Sequence, residues 1–103
     1  MKSYNEYDEM FGESSQGYLV TSLPFSSSST IIYANNRAAS ILELPSVSIT
    51  GQTLGNVFPV FSAFMGSMDV GPFRHEPNGS LLRLFASPFN GDTCLVFVLD
   101  QNE

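Results

Sequence analysis

Residues 75–100, HEPNGSLLRLFASPFNGDTCLVFVLD, hold two apolar runs, each preceded by an Asn-Gly pair: Asn78-Gly79 and Asn90-Gly91. Asn-Gly favours the left-handed backbone of tight hairpin turns, so the pattern predicts three strands joined by two turns. Alternation sets Leu82, Leu84 and Ala86 against Leu81, Arg83 and Phe85 in the first run. In the second it sets Cys94, Val96 and Val98 against Leu95, Phe97 and Leu99. Antiparallel sheets commonly keep one polar face towards water. Here both faces are apolar. Arg83 marks its face as the outer one, and Leu81, Phe85, Leu95, Phe97 and Leu99 on that face call for a cover.

The N-terminal segment offers one. Ser3 and Glu6 have capping-box spacing, Tyr4, Tyr7, Met10 and Phe11 fall along one helical stripe, and Gly12 follows as a stop. Residues 17–24 and 30–34 read as two strands around the polar loop FSSSS, the second rich in β-branched residues. NNRAASILEL then switches to helix formers, with Asn35 suited to N-cap it and Pro45 to end it. SVSITGQTLGNVFP is irregular and predicts short helical turns. Phe61, Phe64, Met65 and Met68 recur at helical spacing. The order is α+β: a five-stranded antiparallel sheet with helices on one face, plus a short N-terminal amphipathic helix. The division is a helical cap over 1–16 and a core domain over 17–103.

A chain of 103 residues is one domain, and its 43% hydrophobic content is that of a globular protein. Four basic against ten acidic residues leave a net charge of −6, which argues against nucleic acid and anionic membrane surfaces as partners. No apolar run is long enough to span a bilayer, and no signal-peptide pattern opens the chain. A cytoplasmic location is expected. Cys94 cannot form an internal disulfide and reads as a small buried hydrophobe. One His and one Cys make no metal site, and His75, beside charged residues, is expected at the surface. No nucleophile triad or phosphate loop is present, so catalysis is not expected.

The stretch GYLVTS…TIIYANNRAASILEL…ITGQTLGNVFP resembles the first half of a PAS domain. Tyr33, Asn35, Ala38 and Ala39 match its hairpin-to-helix junction, and Gly51, Leu54, Phe58 and Pro59 match a later Gly-X-X-Leu segment. Residues 78–100 resemble the last PAS strands, with Asp100 at the exit to an output helix, although QNE follows it in place of the usual β-branched residue and Thr. The resemblance implies that Leu82, Leu84, Ala86, Cys94, Val96 and Val98 face the helices and, with Tyr33, Phe61, Phe64, Met65 and Met68, line any ligand pocket. These side chains offer few polar handles. A core closed by its own Phe and Met side chains is the first expectation and a small apolar ligand the second; flavin is disfavoured by the missing Asn-Cys-Arg motif and haem by the lack of a His on the Phe61–Met68 stripe.

The resemblance further implies a sensory or regulatory module in signal transduction, a homodimer formed through the outer face and the Tyr4/Tyr7/Met10/Phe11 helix; the alternatives are that this helix caps the sheet of its own chain or that a following domain covers it. Asp100, paired with Arg74 or Arg83, would pass the signal to a C-terminal output domain such as the histidine kinase of a two-component system. A ligand-free interaction module and a stand-alone carrier of an apolar ligand are the alternatives.

Overall fold

The computed structural model describes residues 4–23, 25–59 and 68–101. Ser3 of the capping box and Phe61, Phe64 and Met65 of the apolar stripe lie outside them. Helix α1 (Tyr4–Phe11) leads into β1 (Gly17–Ser22) and β2 (Ile31–Ala34). Three short helices follow, α2 (Asn36–Leu42), α3 (Ser46–Ile49) and α4 (Leu54–Val57), and then β3 (Asp69–His75), β4 (Ser80–Phe89) and β5 (Thr93–Asp100). The strands form a five-stranded antiparallel sheet in the order β2-β1-β5-β4-β3. The predicted α+β architecture is the observed one.

Local chemistry sets the boundaries. Asn35 N-caps α2, its Oδ1 accepting from the Ala38 amide at 2.9 Å. Glu43 ends α2 in the left-handed region, at φ 56°. Thr53 caps α4 through its hydroxyl. The serine loop supplies carbonyls to the same helix end: Ser29 accepts from the Leu54 amide at 2.9 Å and Ser27 from the Gly55 amide at 2.8 Å. That loop is therefore the counterpart of α4's otherwise unpaired donors. The outer edge of β2 is closed in the same way, because Ile31 exchanges backbone bonds with Gln52 and Gly51.

Both Asn-Gly pairs are at turns. Asn90 and Gly91 adopt φ of 57° and 68°, as the β4–β5 connection requires. At the β3–β4 connection the Asn78 side chain accepts from the Ser80 amide and donates to the Ile41 carbonyl at 2.9 Å, tying the turn to α2. Between the sheet and α2–α4 lies the main core, which includes Leu19, Ile31, Ala38, Leu42, Ile49, Leu54, Phe58, Leu82, Leu84, Val96 and Val98. On the opposite face of the sheet, Tyr7, Val20 and Tyr33 form a second buried cluster.

Candidate functional site

Strand pairing writes the outer face as rows. Tyr33, Val20, Leu95 and Ser87 are aligned across four strands, and Tyr18, Phe97, Phe85 and Asp69 form the next row. Helix α1 covers the first. Tyr7 is fully buried against it, and Phe11, Phe89 and Leu95 pack around the same cluster. The Tyr33 hydroxyl donates to Asp8 Oδ1 at 2.9 Å, and burial together with that carboxylate raises the phenol above its ordinary range. Tyr33 therefore belongs to the outer face and not to a ligand pocket. A register shift between Val20 and Thr21 turns β2 so that Tyr33 lies beside Val20. Met10, expected in the same stripe, is 48% exposed, because at about 100° per residue it falls well to one side of Tyr7 and Phe11.

The second row is only partly covered. Phe97 meets Tyr18 at a ring separation of 4.8 Å, and the Arg83 guanidinium sits 5.1 Å over the Phe85 ring. Arg83 also makes two 3.0 Å hydrogen bonds to Asp69. Leu81, Phe85, Phe97 and Leu99 remain half-buried, an apolar strip in which Arg83 stands between Leu81 and Phe85 and opposite Leu99.

On the helix side, Leu82, Leu84, Cys94, Val96 and Val98 are buried, and Ala86 packs against their cluster half-buried. Burial pushes the Cys94 thiol upward, away from reactivity. Met68 stands at the surface, 41% exposed, just before β3. The pocket-candidate residues that are described do not line the cavity found on this side. That cavity, about 250 Å3, is bounded by Phe58, Pro59, Phe73, Arg74, His75 and Glu76.

His75 is 2% exposed, which corrects its expected surface position. Phe73, Arg74 and His75 alternate inward, outward and inward along β3, a pattern that was present in the sequence but hidden by the charged neighbours. Its ring lies 5.8 Å from that of Phe58. Desolvation lowers its pKa below the usual histidine value, opposed by a hydrogen bond to the Leu42 backbone and by the charge of Glu43.

No family model matches the chain, and no curated protein does. Among solved structures it is similar to a PAS domain from a two-component sensor histidine kinase. The TM-score is 0.64 at 11% identity, over 95% of this chain and 96% of that one. The fold is a PAS fold. At this identity the likeness carries the architecture and not the chemistry. In PAS terms α1 is an N-terminal cap lying on the outer sheet face, and Asp100 ends the last strand. The two expected partners of Asp100 are engaged elsewhere: Arg83 with Asp69, and Arg74 with the Gly79 carbonyl. Asp100 instead shares a small recess with Arg37, Gly17 and Ile41. Among the described residues no group of three or more His, Cys, Asp or Glu could hold a metal ion, and no helix is long and apolar enough to cross a membrane.

Proposed function

We propose that this chain is a non-catalytic sensory or regulatory PAS module of the cytoplasm. It pairs with a second copy through the outer sheet face and α1, and passes a change of state through the end of β5 to a C-terminal output domain. The observation that supports this reading is the half-buried part of the outer face. Helix α1 lies over Tyr33, Val20 and Leu95 and leaves Leu81, Phe85, Phe97 and Leu99 as an apolar strip at its side. Strips of this kind are removed from water by association, and a two-fold axis beside α1 would set each copy's strip against the other's. The similar domain comes from a sensor histidine kinase, which supports a kinase as the output.

Light scattering on the purified chain tests the pairing. The expected species is a dimer, which Phe97→Asp converts to a soluble monomer, because a carboxylate at the centre of the strip would be buried without a partner. A wild-type chain that stays monomeric at high concentration overturns the proposal.

A further inference from the structure

His75 holds an unusual position for an imidazole. It is 2% exposed, and its Nε2 has no hydrogen-bond partner among the described residues. Since the ring bonds to the Leu42 backbone, which presents a carbonyl as acceptor, Nδ1 is the nitrogen that carries the proton. Nε2 is then a bare lone pair, held in apolar surroundings. Leaving such an acceptor unpaired costs about 1–3 kcal/mol, which a group donating to it would recover.

The surroundings narrow that group. Phe58 and Phe73 meet edge to face with centroids 5.7 Å apart, and both line the cavity with His75. The cavity holds about 250 Å3. The cleft is open to solvent at Pro59, Arg74 and Glu76, and a benzene ring fits a space of about 150 Å3, so a single substituted ring has room within it. A carboxylate offers no donor to Nε2. Arg74 and Glu76 stand at the exposed rim, one of each sign, and together favour neither an anion nor a cation.

We propose that this cavity binds a small uncharged phenol-like molecule, its ring against Phe58 and Phe73 and its hydroxyl donating to Nε2 of His75. For its biological role this rests on the sensory reading above, to which it adds the chemical class of the input. Nε2 is sealed from solvent, so a hydroxyl reaches it only when a side chain lining the cleft moves aside. That motion would act on the end of α4 and on the edge strand β3.

The test is titration of the full chain with phenol and, separately, with toluene, followed by amide and aromatic NMR shifts. Phenol is expected to saturate the chain with shifts concentrated at Phe58, Phe73 and His75, and to bind about tenfold more tightly than toluene, the worth of one hydrogen bond. His75→Phe should abolish that preference while still admitting toluene. Acidification should weaken phenol binding as Nε2 gains a proton; Glu43, Arg74 and Glu76 are the neighbouring charges that set where this occurs. Equal affinities for the two probes, or shifts placed elsewhere, overturn the proposal. The comparison needs only the wild-type chain, so a variant that fails to fold leaves it intact. Saturable phenol binding with no effect on dimerisation upholds the site and counts against the relay. A dimer that binds no phenol sinks the site and leaves the pairing standing.

Discussion

Asn35 is fully buried, and its side chain joins four backbone segments. Oδ1 accepts from the Tyr18 amide at 3.0 Å and from the Ala38 amide at 2.9 Å. Nδ2 donates to the carbonyls of Phe11 and Gln16, both at 2.9 Å. One residue thus caps α2, pins β1 and receives the C-terminal end of α1. Asn35→Ala removes an N-cap worth about 1 kcal/mol and strands buried partners at about 1–3 kcal/mol each, so a loss of at least about 3 kcal/mol is expected in urea unfolding. His75 makes a different prediction. Its folded-state pKa lies below the unfolded value of 6.5, so the unfolded chain takes up the proton first. Its contribution is complete above pH 6.5 and is lost as pH falls from there towards the folded value. Urea midpoints should therefore drop as pH falls through and below 6.5, and His75→Phe should flatten that slope.

At the scale of elements, α1 depends on what it rests on. Eight residues are too few to hold a helix in water without packing. Its hold consists of Tyr7 in the outer cluster, the Asp8–Tyr33 hydrogen bond, and the Asn35 and Asn36 amides at the Phe11 and Gly12 carbonyls. Tyr7→Ala should release it: hydrogen exchange over residues 4–11 rises to that of a free peptide, while β1, β4 and β5 stay protected. Continued protection of α1 in that variant would show that the Asp8–Tyr33 hydrogen bond, the ring contacts of Tyr4 and Phe11 and the two asparagine amides suffice without Tyr7. The same contacts explain what could be read in advance. The stripe and Gly12 located the helix, because local periodicity reports which face is apolar. That Met10 turns away from the sheet required the direction in which the helix lies.

For the whole molecule, the two faces of one sheet divide the work. The inner face closes over the main core with α2, α3 and α4, and the outer face is covered by α1 over only part of its width. The proposed pairing belongs to this scale, since the strip of Leu81, Phe85, Phe97 and Leu99 is assembled from two strands and flanked by a helix distant in sequence. Arg83 stands within the strip, its charge matched by Asp69 and its guanidinium lying over the Phe85 ring. Phe97→Asp, at the centre of that assembly, probes association with little demand on the inner core.

Alternation, turn residues and helix caps are properties of a few neighbouring positions, and they were enough to specify the five strands, both Asn-Gly turns, the Asn35 cap and the two-sided greasiness of the last hairpin. Three matters lay beyond them. A register shift in β1 decided which face Tyr33 joins. The Leu42 backbone and the Phe58 ring, which receive the buried His75, come from segments distant from β3 in sequence. The pairing of Arg83 with Asp69, 14 residues away in sequence, is likewise recorded by no local pattern. Each depends on where segments distant in sequence meet, and a local pattern records only that a side chain must be covered, not by what.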